Sequence, residues 1–204
     1  MAGLVRFAWW REALERVAAG ASGAPHPFLE ALSPELATGR FPVDELLDLL
    51  AAHEAFFERR RLPAPAEAVS LADRSGARTL VLAMQLLGGG SDWCERAFAA
   101  GRALALLRLA ALLPDLRQAG FAPGEETDLC RLAGSLAQLA ETALAEAGNG
   151  RPPRRLLAPM LTRRLARSRL ARLAQAGFDP LRLKTLPPHW PLPGLLLARL
   201  HGRP

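Results

Sequence analysis

One predicted helix carries charged residues on the same face as small residues, which is an arrangement able to hold a ligand. Within the segment 92–117, a rotation of about 100° per residue collects one face from Gly101, Ala105, Arg108, Leu112 and Asp115. We take Arg108, Asp115 and Gly101 as ligand-binding candidates, because the glycine allows close approach and the other two supply charge. The alternative is that Gly101 serves helix packing and Arg108 pairs with a carboxylate elsewhere.

A second group of charged residues lies in the basic end of the chain. Residues 1–150 carry 14 arginines against 19 acids, whereas residues 151–204 carry 12 basic residues against a single acid. Arg163, Arg164 and Arg167 gather on one side of a predicted helix and are candidates for contact with an anionic surface. Anionic lipid suits them better than nucleic acid, because no aromatic residues interleave for base stacking. The alternative is a final bundle helix with arginines at its margins.

Residues able to bind a metal or a redox cofactor form no pattern. Cys94 and Cys130 have no metal-ligand spacing, and the four histidines are scattered. We therefore expect no metal site, no cofactor and reduced cysteines. The charged N-terminal segment is unlike a signal peptide, and no apolar run approaches the ~20 residues of a membrane span. The expectation is a cytoplasmic protein, with peripheral contact at the inner face of the membrane as an open alternative.

The elements that must position these residues are helices. Half of the 204 residues are apolar, Ala, Leu and Arg dominate, and Ile is absent; this composition favours an all-α fold. Periodicity and Pro/Gly punctuation predict eight helices, at 3–19, 27–38, 43–60, 65–88, 92–117, 124–147, 153–176 and 192–200. We predict a single domain over 1–204, in which 151–204 forms a basic C-terminal helix and a proline-rich tail.

Four segments resemble, in order, the squalene/phytoene synthase family. AFAAGRALALLRLAALLPDLRQAGFAP (97–123) resembles its second conserved helix, and VRFAWWREALERVAAG with the following HPFLEAL (5–32) is similar to its Arg-Leu-x-x-Trp-Arg and His-Pro segments. AVSLADRSGARTLVLAMQLLG (68–88) resembles its Tyr-Ala-x-x-Thr-Ala-Gly helix, and PLPGLLLARLHGRP (191–204) is similar to the ends of bacterial relatives. The resemblance implies an all-α bundle of the isoprenoid-synthase type.

The resemblance also implies a chemistry and further candidate residues. Active members join two prenyl diphosphates, and two aspartate-rich motifs hold Mg²⁺, which stabilises the departing diphosphate. In such synthases an arginine placed like Arg6 or Arg11 could face the diphosphate, so both are ligand-binding candidates. The alternative is a core tryptophan at Trp9 or Trp10, with ion pairs such as Arg11 with Glu15.

The sequence departs from the family where the metal chemistry would occur. Leu112 and Leu116 stand where the second motif should have its aspartates, Ala111 stands at the family's arginine, and Asp115 is one residue out of register. Asp73 falls near an expected tyrosine. The first motif would lie upstream of residue 5, so we expect a bundle truncated at its N-terminus, unless Met1 is an internal methionine of a longer protein.

These departures predict a catalytically degenerate protein, with no catalytic residue and an assembly or scaffolding role. Pro114 makes the helix similar to the branch containing the mitochondrial complex I assembly factor. The partner would be a prenyl diphosphate or lipid, a protein, or a second chain that completes the bundle. One alternative is an active prenyl transferase that uses Mg²⁺, with its first motif upstream or on another chain. Another is a basic-tailed adaptor for membranes or nucleic acid.

Overall fold

The computed structural model describes residues 2–21, 26–124 and 128–186, and within them the regular structure is helical apart from one isolated bridge between Arg61 and Ala122. The all-α prediction is confirmed. The helices are α1 (Ala2–Ala18), α2 (Pro27–Ala37), α3 (Val43–Arg59), α4 (Pro65–Ala72), α5 (Arg78–Leu86), α6 (Ser91–Gln118), α7 (Leu129–Glu146), α8 (Leu157–Gln175) and α9 (Pro180–Thr185). A π-helical segment, Asp73–Ala77, joins α4 to α5, and a 3₁₀ turn, Arg154–Leu156, precedes α8.

The chain divides into two compact units, residues 1–59 and 60–204. In unit 1, α1 packs against α2 and α3. The helix α2 begins where His26 accepts a hydrogen bond from the Phe28 backbone N–H, followed by Pro27 at the first helical position, which is the position where proline costs no hydrogen bond. The buried side chains of this unit are Ala13, Leu14, Val17, Leu29, Leu36, Phe41 and Ala52.

Unit 2 is organised around α6, which contacts α4, the π segment, α5, α7, α8 and α9. The largest fully buried leucines and methionines of this unit are Leu62, Met84, Leu106, Leu113, Leu132, Leu136, Leu156, Met160 and Leu173. Among the described helices, α6 has the length and composition to cross a membrane, which the sequence analysis did not expect. Most of its apolar stretch is buried inside the unit, as in the core helix of a folded domain.

Several predicted boundaries are wrong for local reasons. The helix predicted from residue 124 begins at Leu129, because the Asp128 carboxylate caps it by accepting from the Cys130 N–H. The predicted 65–88 helix is interrupted by the π segment, and α9 was not predicted. It begins where Asp179 accepts from the Leu181 and Arg182 N–H groups. The predicted 192–200 helix and most of the proline-rich tail lie outside the described residues.

Candidate functional site

The structure brings three of the predicted face residues of α6 to one exposed side of the helix. Arg108, Leu112 and Asp115 are all exposed, and Leu112 retains 49% of its accessible surface. The helix continues through Pro114, which is itself buried. This side of α6 therefore presents an arginine and a carboxylate separated by a leucine.

Asp115 is engaged by a residue that the sequence analysis did not connect with it. Its carboxylate accepts a hydrogen bond from the Lys184 ammonium in α9, and the two side chains form an ion pair. Lys184 is the single lysine of the chain. Because α9 was not predicted, sequence periodicity gave no signal for this contact. The pair neutralises the carboxylate that lies nearest to the positions where the resemblance places the second motif's aspartates.

Gly101 lies on a different part of α6, where the helix crosses the π segment. A Cβ atom built on Gly101 would lie 2.5 Å from the Gly76 carbonyl oxygen and 2.7 Å from the Ala77 Cα. On the opposite side of the crossing, a Cβ on Gly76 would lie 2.8 Å from the Ala105 Cβ. The space beside the Gly101 Cα is therefore occupied by the backbone of the π segment, as the helix-packing alternative predicts. Gly101 as a ligand-binding residue is wrong, because no space remains there for a ligand.

Arg6 and Arg11 belong to unit 1, whereas Arg108 and Asp115 belong to unit 2. Arg6 is exposed. Arg11 forms an ion pair with Glu54 of α3, so the predicted pairing with a residue one turn away on α1 is wrong. The Arg11–Glu54 pair joins two helices of unit 1.

The predicted core tryptophan next to these arginines is not fully buried. Trp9 is exposed, and its ring meets the Trp10 ring edge-on at a centroid distance of 5.0 Å. The Trp10 ring in turn lies 5.0 Å from the His26 ring. These aromatic residues form a partly exposed cluster on α1 and the start of α2.

The predicted cluster of surface arginines on α8 is divided by the fold. Arg163 is only 3% exposed and donates a hydrogen bond to the Gly148 carbonyl, beyond the end of α7. Burial, together with the charges of Arg167 and Arg96, lowers the pKa of Arg163. Arg163 is therefore an internal structural residue, and its assignment to an anionic surface is wrong.

The two neighbouring arginines remain on the surface of unit 2. Arg164 is exposed, and Arg167 is exposed with its guanidinium 2.7 Å from the Asn149 side-chain oxygen. Of the three arginines proposed to contact an anionic surface, Arg164 and Arg167 therefore remain candidates.

A charged network that sequence reasoning missed fixes the π segment to α6. The Arg102 guanidinium donates to both carboxylate oxygens of Asp73, at 2.5 and 3.2 Å, and lies 3.4 Å from the Glu146 carboxylate. It also stacks over the Phe98 ring at 5.0 Å. The bidentate hydrogen bond from Arg102 to Asp73 raises the pKa of Arg102. Asp73 therefore has a structural partner within the protein.

The cysteines offer no activated nucleophile. Burial raises the pKa of Cys94, and burial together with the charges of Asp179 and Asp128 raises the pKa of Cys130. A raised pKa keeps a thiol protonated and unreactive at neutral pH. Within residues 2–21, 26–124 and 128–186, no group of three or more His, Cys, Asp or Glu side chains is arranged to hold a metal ion.

The turn that follows α6 forms backbone hydrogen bonds with the segment that precedes α4. The Leu62 N–H donates to the Ala122 carbonyl at 2.9 Å, and the Ala122 N–H donates to the Arg60 carbonyl at 2.7 Å. A Cβ on Gly124 would lie 2.4 Å from the Leu62 carbonyl oxygen, so the two segments run in close contact. This turn closes unit 2 by joining the segment before α4 to the end of α6.

A model of the squalene/phytoene synthase family matches residues 1–120. The chain belongs to the squalene/phytoene synthase family. The match covers more than half of the chain and runs from α1 to the turn after α6. It includes two of the four segments that carried the resemblance, 5–32 and 68–88, and the third, 97–123, as far as residue 120. No curated protein and no solved structure gives a significant match.

The family's magnesium chemistry does not fit the side chains on this helix. The resemblance places Leu112 and Leu116 at the second motif's aspartates, and a leucine side chain has no oxygen to offer Mg²⁺. Asp115 is already paired with Lys184. One ion-paired carboxylate on this side of α6 is too few for a hard cation that requires several oxygen ligands, so no catalytic step is derived through a metal on this helix.

Proposed function

We propose that this member of the squalene/phytoene synthase family is catalytically degenerate and binds an anionic prenyl or lipid ligand without Mg²⁺. The observation that carries the proposal is the replacement of the motif carboxylates by Leu112 and Leu116, with the remaining Asp115 held by Lys184. A diphosphate leaving group needs clustered cations in the transition state, and this side of α6 offers no ligand set for them. Ligand binding without turnover then relies on guanidinium groups and apolar surface.

An assembly or scaffolding role in the manner of the complex I assembly factor branch is the finer part of this proposal. It is supported by Pro114, which the sequence shares with that branch, and by the absence of aspartate at positions 112 and 116. A prenyl transferase completed by carboxylates from another segment or chain is the competing function. The two differ in one property: the transferase needs Mg²⁺, and the binding protein does not.

The Asp115→Ala substitution tests the proposal at the carboxylate that lies nearest to Leu112 and Leu116. We expect the binding of farnesyl diphosphate to be almost unchanged, because Asp115 is a partner of Lys184 and not a metal ligand. The free energy of unfolding should fall by less than about 1 kcal/mol, since the ion pair is half exposed and such pairs contribute little. Calorimetric titration and urea denaturation measure the two quantities.

The matched control is Lys184→Ala, which removes the same ion pair from the α9 side. Equal small effects of the two substitutions on stability agree with a simple surface pair. A large loss of Mg²⁺-dependent binding or turnover in Asp115→Ala alone would show that the carboxylate binds a metal, and the proposal would then be wrong.

A further inference from the structure

One side of α3 presents two acidic residues one turn apart, followed by two alanines. Asp44 and Asp48 are exposed, and the half-buried Ala51 and Ala55 continue the same side of the helix. Successive spacings of four, three and four residues keep these positions aligned at about 3.6 residues per turn. Within the part of the chain that the structure describes, neither aspartate forms an ion pair. We call these four residues the acidic stripe.

The acidic stripe lies away from the contact between α3 and α1. That contact uses Phe57, whose ring centroid is 6.0 Å from that of Phe7, and Glu54, the ion-pair partner of Arg11. At about 100° per residue, the stripe lies about 120° around the α3 axis from Phe57 and Glu54. These packing contacts therefore leave both aspartates exposed.

A stripe of opposite charge lies on α8. Arg164, Arg167, Ala171 and Ala174 are all exposed and follow one another at spacings of three, four and three residues. Arg167 donates a hydrogen bond to the Asn149 side chain, but among the described residues neither arginine has a carboxylate partner. We call these four residues the basic stripe. Two exposed guanidiniums make it a surface for an anionic partner.

The composition of α8 decides which anionic partner the basic stripe fits. The exposed residues of this helix are Ala158, Arg164, Arg167, Ala171, Ala174 and Gln175. A helix that binds a bilayer surface inserts large apolar side chains, and a surface for single-stranded nucleic acid stacks bases on aromatic rings. Neither kind of residue is exposed on α8. Alanines instead allow two helices to approach closely, so the basic stripe fits a helix that carries carboxylates.

The acidic stripe is such a helix face, because the two stripes agree in order and spacing. Each has two charged residues one turn apart and an alanine seven positions after each of them, at 51 and 55 on α3 and at 171 and 174 on α8. When two helices pack in parallel along a seven-residue repeat, these stripes place aspartate beside arginine and alanine against alanine.

Charge is also divided along the chain as such a contact requires. Residues 1–59 carry five arginines against nine acids, whereas residues 60–204 carry 21 basic residues against 11 acids. Complementary charges of this kind guide association and fix the register of an interface. Each copy of the chain therefore offers both halves of a complementary contact to other copies.

We infer that the chain self-associates, with the acidic stripe of one copy packed in parallel against the basic stripe of a second copy. Ion pairs at an exposed surface each contribute little, and one helix-on-helix contact is small beside the interface of a permanent dimer. The association is therefore weak, and it depends on salt because the paired charges lie near solvent. The inference does not depend on the proposed function.

Sedimentation equilibrium of the full chain over a range of concentrations tests the self-association. We expect the average mass to rise with concentration at low ionic strength. A high concentration of NaCl should weaken the association by about tenfold or more, because it screens the charges of both stripes. A chain that remains monomeric at low salt, up to the highest concentration reached, contradicts the inference.

Charge reversal tests which two surfaces meet. Asp44→Arg/Asp48→Arg makes both stripes basic and Arg164→Glu/Arg167→Glu makes both acidic, so each double variant alone should be monomeric through repulsion. An equimolar mixture of the two variants again pairs an acidic stripe with a basic stripe, and it should recover the association of the wild type. Circular dichroism establishes that each variant is folded. If either variant alone associates like the wild type, or if the mixture of folded variants stays monomeric, the assignment of the stripes is wrong.

Glu12→Arg/Glu15→Arg is the matched control for the acidic stripe. It replaces two exposed carboxylates on α1, another helix of unit 1, and changes the net charge by the same amount as Asp44→Arg/Asp48→Arg. The control should leave the association unchanged. An equal loss in both variants would show that net charge and not the acidic stripe governs the association, and would overturn the inference.

Vesicles containing phosphatidylglycerol test the other class of partner for the basic stripe. We expect them to bind Arg164→Glu/Arg167→Glu no differently from the wild type. If they bind a monomeric wild-type chain and this variant loses the binding, the basic stripe contacts a membrane surface, and self-association through it is overturned.

Discussion

Gly101→Ala is expected to lower the free energy of unfolding by about 3 kcal/mol. The added methyl group would lie 2.5 Å from the Gly76 carbonyl oxygen and 2.7 Å from the Ala77 Cα. Both neighbours are backbone atoms of the π segment, which the Arg102–Asp73 hydrogen bonds fix to α6. To accept the methyl group, α6 and the π segment must therefore move apart where they cross in unit 2. Urea denaturation followed by circular dichroism measures the loss.

Gly134→Ala is the matched control, because it is the same substitution at another helical glycine. Gly134 lies inside α7, and a Cβ there would meet only the Phe178 Cβ, at an ordinary contact distance of 4.0 Å. Alanine has the higher helix propensity, so this variant should gain about 0.5–1 kcal/mol. If the two variants change stability alike, the close crossing at Gly101 is not as described.

Arg163→Ala is expected to cost about 3 kcal/mol of stability, because it leaves a cavity at a fully packed position. It also removes the hydrogen bond to the partly buried Gly148 carbonyl beyond the end of α7, and the loss of a hydrogen bond to a charged donor adds to this cost. The change should appear as a lower denaturation midpoint in urea.

Arg164→Ala provides the control on the adjacent residue. Arg164 is exposed, and a surface substitution of this kind changes stability by no more than about 0.5 kcal/mol. Equal small effects at both positions would contradict the internal role of Arg163. They would instead favour the surface patch that the sequence pattern predicts.

The helical class and most helix positions were predictable because they follow from local rules. The absence of Ile, the abundance of Ala and Leu, and breaks such as Gly39 are visible in a single sequence. The family was also predictable, because segments that resemble it occur in the family's order along the chain. Helix caps explain the errors at boundaries: Asp128 and Asp179 each begin a helix that periodicity placed wrongly or missed.

The site was less predictable because its residues meet through tertiary contacts. Asp115 and Lys184 are 69 residues apart in the sequence, and Arg102 and Asp73 are 29 apart. Arg163 and Arg164 have the same side chain and adjacent positions, and only packing makes one internal and the other exposed. Gly101 carries a signal of close approach, but the sequence alone did not show that the approaching group is the backbone of the π segment and not a ligand.

The most direct test of the account is calorimetric titration of the full chain with farnesyl and geranylgeranyl diphosphate, in Mg²⁺ and in EDTA. Titration of Mg²⁺ into each diphosphate alone corrects for the binding of metal to the ligand in solution. We predict binding of equal strength in both buffers, because guanidinium groups and apolar surface hold the ligand. Binding that strengthens sharply in Mg²⁺ would reveal a working metal–diphosphate site and would contradict the account.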